Sequence, residues 1–157
     1  MAEDASAEGL NIGVLLYLPY RAMDLRVNEA ATAAGFGDTT PAQLRIFQRI
    51  APEGSRLTDL AEQAQVTKQT AGILVDQLER LGYVERTADP HDRRARLIRI
   101  TERGHASIAV ARAAIAEIEA EWAAHLGSER MSQLRGTLTA LREIANPERS
   151  SASRGRQ

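Results

Sequence analysis

The fold is decided by residues 57–104, LTDLAEQAQVTKQTAGILVDQLERLGYVERTADPHDRRARLIRITERG. Within this stretch, apolar residues at helical spacing predict two helices, Leu57–Ala64 and Thr67–Leu81, joined by a short turn. Gly82 follows the second helix at the position where glycine best tolerates a left-handed backbone. The stretch therefore begins as a helix-turn-helix.

A small hairpin follows the second helix at once. Alternating patterns predict two strands, Tyr83–Thr87 and Ala95–Ile100, on either side of a polar loop, Ala88–Arg94. Thr101 is then the cap of a long helix. A helix-turn-helix followed directly by a basic hairpin is much more specific than either part, and it predicts a winged helix-turn-helix over residues 40–104.

Further helices lie on both sides of this unit. One pattern fills residues 10–34, with Pro19 as a kink, and Thr40 and Pro41 begin the next helix. Residues 105–145 carry apolar side chains in alternating steps of three and four, as in a coiled coil. We predict a mainly α fold with a small β-hairpin, in which N-terminal (10–34) and C-terminal (105–145) dimerisation helices flank the winged unit. Residues 1–9 and 146–157 are expected to be disordered.

Composition excludes several classes of protein. The 157 residues contain no cysteine, so disulfides, thiolate metal sites and thiol redox sensing are excluded. No apolar run is long enough to span a bilayer, and the acidic first residues are unlike a secretory signal. We therefore expect a cytoplasmic protein that does not contact a membrane. The net charge of −1 argues only weakly against nucleic acid, because the location of the positive charge decides binding.

The second helix of the pair has two different faces. The inward side is predicted to hold Thr67, Ala71, Leu74, Leu78 and Leu81. The outward side is predicted to hold Gln69, Gly72, Ile73, Asp76 and Arg80, with Lys68 near its edge. A helix of this kind, placed beside a hairpin, is typical of a DNA-recognition helix in the major groove.

Donor and acceptor geometry predicts roles on that outward face. Gln69 can bond an adenine edge, and Ile73 can touch thymine methyl groups. Lys68 and Thr70, like Thr67 in the same turn, suit phosphates or bases. Asp76 either accepts from a cytosine amine or pairs with an arginine of the protein, and we favour the arginine. Gly72 is either a tolerated glycine or a place where DNA approaches the helix backbone.

The predicted wing is rich in arginine. It carries Arg86, Arg93, Arg94, Arg96 and Arg99 against Glu85, Asp89 and Asp92. An arginine at a hairpin tip fits a narrow minor groove, and Asp92 can stiffen the loop by pairing with a nearby arginine. The alternative is a solvated charged turn. We take Asp92, Arg93, Arg94 and Arg96 as DNA-binding candidates, together with the residues of the recognition helix.

Several stretches resemble the MarR (multiple antibiotic resistance regulator) family. They are LTDLAEQA at residues 57–64, VTKQT at 66–70, VDQLERLGYVER at 75–86, DPHDRR at 89–94 and LIRITERG at 97–104. The resemblance implies a homodimeric transcription regulator, a repressor by expectation, on a palindromic operator of double-stranded DNA. It implies that Arg94, supported by Asp92, enters the minor groove. Many members have Ser-Arg where this chain has Gly72 and Ile73, so operator preference cannot be transferred.

The resemblance also implies a small aromatic or phenolic effector that releases DNA. Candidates by residue type are Tyr17, Tyr20, Arg21, Phe47 and Trp122. Aromatic side chains more commonly fill cores and interfaces, so packing is the commoner explanation of the same residues.

An enzyme is not expected. His91, His105 and His125 are scattered and lack the spacing of a metal site, and no catalytic residue, metal or cofactor is predicted. The remaining alternative is a winged-helix protein-interaction module that never touches DNA. Such a module would lack the salt dependence that phosphate contacts give to binding.

Overall fold

The computed structural model describes residues 9–145, except for the side chains of Arg93 and Ala145. The elements in chain order are α1 (Ile12–Ala33), α2 (Pro41–Phe47), α3 (Leu57–Ala64), α4 (Lys68–Arg80), β1 (Val84–Asp89), β2 (Asp92–Ile100), α5 (Glu102–Leu126) and α6 (Ser128–Ala145). This order confirms the predicted fold class. The ends predicted to be disordered lie outside the described residues, apart from Gly9. The chain forms two compact units that meet within α5, after Ala114.

Local sequence signals place the ends of the helices. At α2, Thr40 Oγ1 accepts from the Gln43 backbone N–H at 3.3 Å, while Gln43 Oε1 accepts from the Thr40 N–H at 2.8 Å. This reciprocal capping box confirms the predicted helix start. Gly82 has a φ of +81° after α4, and Thr101 Oγ1 accepts from the Gly104 N–H at the start of α5. Glycine and hydroxyl caps thus set the boundaries that the sequence predicted.

The core of the first unit lies between α2, α3, α4 and the hairpin. α4 contributes the fully buried Ala71, Val75 and Leu78, while Leu74 and Leu81 are partly buried. The predicted inward face was therefore correct except in two positions. Val75 belongs to it, and Thr67 does not, because Thr67 is the exposed N-cap that precedes the helix.

The hairpin is longer than predicted. Antiparallel pairing runs from Val84–Ile100 to Ala88–Arg96, with an irregularity before Asp89. Only Pro90 and His91 connect the strands, so the seven-residue loop was a wrong prediction. The prediction failed because these parts of the strands are exposed on one face and carry polar side chains, as a loop does. The side chain of Asp89 closes the turn. We call β1, β2 and this turn the wing.

The helices outside the winged unit expose much apolar surface. No residue of α1 is buried, and the helix runs through Pro19. In the second unit Ile118 is buried, and Arg135 Nη2 on α6 lies 2.9 Å from Glu119 Oε2 on α5. Leu134, Leu138 and Leu141 on α6 remain 37–41% exposed. None of the helices within residues 9–145 is long and apolar enough to cross a membrane.

Candidate nucleic-acid interface

The first turn of α4 is fixed by its own cap. Thr67 Oγ1 accepts from the Thr70 backbone N–H at 3.1 Å, and the two hydroxyl oxygens lie 2.8 Å apart. The hydroxyls of Thr67 and Thr70 are therefore already engaged with each other. Lys68 and Gln69 are exposed in the same turn, so they are the long polar side chains that it offers to a partner.

The rest of the outward face agrees with the predicted pattern. Ile73 is 51% exposed, Gly72 is half-buried, and both Asp76 and Arg80 are exposed. The surface is thus polar at its ends and apolar at its centre. Such a surface can combine hydrogen bonds to base edges with an apolar contact.

Arg86 lies at the base of the wing and is not one of the wing's exposed arginines. Its Nη2 donates to Asp76 Oδ1 at 2.6 Å, its Nη1 donates to Glu79 Oε2, and its backbone N–H donates to Glu79 Oε1 at 3.2 Å. The protein partner predicted for Asp76 is therefore confirmed. These bonds connect β1 to α4, and the single positive charge of Arg86 partly offsets the two carboxylates, which would otherwise repel phosphates more strongly.

The turn of the wing is held by Arg56 at the start of α3. Nη2 and Nε of Arg56 donate to Asp89 Oδ2 at 2.6 and 3.1 Å. Asp89 Oδ1 accepts from the His91 backbone N–H at 2.8 Å, and Asp92 Oδ1 accepts from the Arg94 N–H at 3.0 Å. Both carboxylates thus fix the backbone of the turn. Asp92 also lies 3.9 Å from Arg56, so the predicted stiffening includes an arginine outside the wing.

The pKa of Asp89 is lowered, first by the hydrogen bond from the His91 N–H and then by Arg56. A carboxyl with a lowered pKa in the fold stabilises the protein above its ordinary pKa, and this contribution is lost as the pH falls below that range. The clamp between Arg56 and Asp89 is therefore fully charged at neutral pH.

The wing presents its remaining arginines to solvent. Arg94 and Arg96 are exposed on β2, and Arg99 is partly buried nearer the base. The backbone of Arg93 belongs to β2, while its side chain lies outside the described part of the chain. Arg94 and Arg96 are thus two cations on a hairpin whose turn is braced from α3.

A second cluster surrounds Arg103, near the start of α5. Its Nη2 lies 3.1 Å from Asp38 Oδ2 and 3.2 Å from the Gly35 carbonyl oxygen, and its guanidinium lies over the rings of Tyr83 and Phe36 at 4.8 and 5.3 Å. The Tyr83 hydroxyl donates to Asp38 Oδ1. The cluster ties the segment after α1 to the base of the wing.

Charge and burial shift two groups of this cluster. Burial, followed by the hydrogen bond to Asp38, raises the pKa of Tyr83 to about 12. The same hydrogen bond is the main reason why the pKa of Asp38 is lowered. The neutral phenol and the charged carboxylate therefore coexist over the whole neutral range.

The effector candidates lie in different environments. Tyr17 and Tyr20 are 56% and 64% exposed on α1, where Arg21 is exposed too. Phe47 is buried in the core, edge-on to Tyr83 at 5.9 Å between ring centroids. Trp122 is partly buried in the second unit. Phe47 therefore packs the winged unit, and the described residues contain no group of His, Asp and Glu that could hold a metal ion.

Sequence reasoning missed Arg56 and Arg103 as organisers of the site. Their partners lie 33 and 65 residues away along the chain. No local periodicity marks such pairs. The one usable signal was Asp89 in the DPHDRR stretch, a turn aspartate that needed a cation from elsewhere.

Residues 38–95 match the model of the MarR family. The comparison with curated proteins gave no match. Among solved structures, the chain is similar to the transcriptional regulator Tm0710 from Thermotoga maritima, with 28% identity and a TM-score of 0.64 over 88% of this chain and 96% of that one.

Two further structures were solved with a bound partner. CouR from Rhodococcus jostii RHA1, bound to p-coumaroyl-CoA, is 28% identical with a TM-score of 0.61 over 87% of this chain and 93% of that one. MepR of S. aureus in complex with DNA is 22% identical with a TM-score of 0.64 over 85% and 99%. The similarity to MepR shows that the two chains share a fold.

Proposed function

We propose that the chain is a winged helix-turn-helix transcription regulator of the MarR family, and that it represses transcription as a homodimer bound to a palindromic operator. α4 enters the major groove of double-stranded DNA, and the wing reaches the adjacent minor groove. The observation that carries this proposal is the presence of two exposed surfaces on one compact unit: Lys68 and Gln69 on α4, and Arg94 and Arg96 on the wing.

The charge distribution supports this proposal despite the net charge of −1. Acidic groups close to the two surfaces are already paired, since Asp76 and Glu79 hold Arg86, and Asp89 holds Arg56. Lys68 on α4 and Arg94 and Arg96 on the wing are the exposed cations of these two surfaces that can contact phosphates. MepR, which shares this fold, was crystallised with DNA.

The exposed apolar surface of α1 supports the proposed homodimer. Leu15, Leu18 and Leu25 share one side of α1 by their helical spacing and are 39–52% exposed, and helices in water normally gain their stability by burying such a face. A second copy that covers this face would place two winged units on one duplex. Half-sites would then lie about one helical turn apart.

The proposal also includes a small-molecule effector that releases DNA. CouR was crystallised with p-coumaroyl-CoA, a phenolic thioester, and this chain exposes Tyr17, Tyr20 and Arg21 on α1. An aromatic acid bound there would release DNA. Adding p-coumarate to the protein–DNA complex should lower its affinity, and Arg21→Ala should abolish this response without weakening DNA binding in the absence of the acid.

Selection from random duplexes, followed by binding titrations, tests DNA binding itself. Arg94→Ala should weaken binding to the selected duplex at least about ten-fold, because it removes a desolvated charge contact. Gln69→Ala should change the preferred sequence. Arg45→Ala, an exposed arginine on α2, is the matched control and should bind as the wild type does.

A winged-helix module that binds only proteins is the second hypothesis. It predicts that no duplex is enriched and that neither Arg94→Ala nor Gln69→Ala changes any DNA affinity. The DNA-binding hypothesis instead predicts an affinity that falls steeply with salt, since each phosphate contact releases a counterion.

A further inference from the structure

Ile73 is an apolar side chain at the centre of a polar helix face. It is 51% exposed, while Gln69, one turn before it, and Asp76, nearly one turn after it, are also exposed. Exposure of half an isoleucine costs free energy that a binding partner can recover. On the outward face of α4, Ile73 is therefore the side chain that offers an apolar contact to a partner.

Gly72, beside Ile73, is not required by the fold. A Cβ built on Gly72 would meet only Leu57 Cδ2, at an ordinary contact distance of 3.8 Å. At Gly104, by contrast, a Cβ would lie 2.4 Å from the Tyr83 carbonyl oxygen, so packing explains that glycine. Glycine inside a helix is less favourable than alanine, and packing within the described residues gives no reason for Gly72.

We propose that Gly72 and Ile73 act together as a specificity element, which deepens the proposed function and rests on it. The absent side chain of Gly72 lets a base-pair edge approach the backbone of α4. Ile73 then contacts the 5-methyl group of a thymine, the one apolar group in the major-groove pattern. Each half-site of the operator therefore contains a thymine that is recognised by its methyl group.

The surroundings favour DNA over a protein as the occupant of this surface. A single exposed isoleucine is far smaller than the apolar centre of a stable protein interface. The cations of Lys68 in the same helix and of Arg94 on the wing suit the phosphates on either side of a groove. An isolated methyl-sized contact flanked by cations matches a thymine in a charged duplex.

Deoxyuridine tests the methyl contact directly, because it differs from thymidine only by that group. Each thymine of the selected duplex is replaced in turn, and the affinity of the wild-type protein is measured. At one position per half-site, the affinity should fall about four-fold, the expected effect of one buried methyl group. Ile73→Ala should bind the two duplexes equally well, and Ile73→Val should retain part of the difference.

Lys68→Ala is the control for this measurement. It should weaken binding to both duplexes by the same factor and leave the methyl effect intact, because it removes a charge and no apolar contact. If no thymine in the duplex is sensitive to loss of its methyl group, the inference is wrong while DNA binding stands. If no duplex binds at all, the proposed function fails and the inference fails with it.

Gly72→Ala gives an independent test, with opposite effects on the protein and on the complex. The thermal midpoint of the free protein should rise by roughly 2–4 °C, while DNA affinity should fall at least about ten-fold. An unchanged affinity of Gly72→Ala would overturn the role of Gly72.

Discussion

At the scale of single residues, the hydroxyl of Tyr83 gives the simplest test of the structure. Tyr83 is 2% exposed, donates to Asp38 and lies under the guanidinium of Arg103. A phenolate would lose this hydrogen bond and would be buried beside a carboxylate. The neutral phenol is therefore stabilised in the folded protein.

Tyr83 should ionise well above the ordinary pKa of a tyrosine side chain. Because folding raises its pKa from 10.0 to about 12, its contribution to stability is complete below pH 10 and is lost as the pH rises towards 12. An absorbance titration of phenolate should show a phase near pH 12, and Tyr83→Phe should lack it. Complete ionisation of the wild type below pH 11, while circular dichroism still shows a folded protein, would contradict this assignment.

At the scale of elements, Arg56 connects the start of α3 to the turn of the wing. Asp89 accepts from Arg56 with one oxygen and from the His91 backbone with the other. A two-stranded hairpin is marginal in water, so its geometry depends on such attachments. The position of Arg94 is thereby linked to the helix-turn-helix.

Arg56→Ala should free the turn of the wing while the fold persists. Amide exchange at His91 and Arg94 should accelerate about ten-fold or more, because local opening becomes easier. DNA affinity should fall several-fold through loss of the ordered wing. Arg49→Ala is a suitable control, since Arg49, which follows α2, donates to the Gln63 carbonyl of α3, and its loss should leave both quantities unchanged. Unaltered amide exchange in Arg56→Ala would contradict the role of Arg56 in bracing the turn of the wing.

The same elements show what sequence reasoning can reach. Helix starts at Thr40, Thr67 and Thr101 were predictable, because caps are made by neighbours three residues away. The tip of the wing could not be predicted from sequence neighbours. Strands Val84–Asp89 and Asp92–Ile100 extend through charged residues whose pairing depends on the opposite strand.

The candidate site was predictable to a similar extent. The exposed face of α4 followed from helical spacing, and the preference for a protein arginine as the partner of Asp76 was correct, although Arg86 itself was not identified. Arg56 and Arg103 were not found, because each pairs with a carboxylate many residues away. The inward placement of Thr67 failed because a capping residue does not follow the periodicity of its helix.

At the scale of the whole molecule, the exposed leucines of α1 predict self-association. Leu25→Glu places a charge on this face and should convert a dimer into a monomer in sedimentation experiments, with DNA affinity reduced at least about a hundred-fold because one half-site is lost. Leu25→Met keeps an apolar side chain of similar size and should remain dimeric. A wild-type protein that sediments as a monomer at micromolar concentration would contradict the homodimer.

Hydrogen exchange of the full chain with and without the selected duplex tests the central claim most directly, since it locates the bound surface. We predict protection of the amides from Lys68 to Ile73 on α4 and from Asp92 to Arg96 on β2. Exchange in the buried second half of α4, around Val75 and Leu78, should change little. Protection confined to other elements, with α4 and the wing unaltered, would contradict DNA binding through these two surfaces.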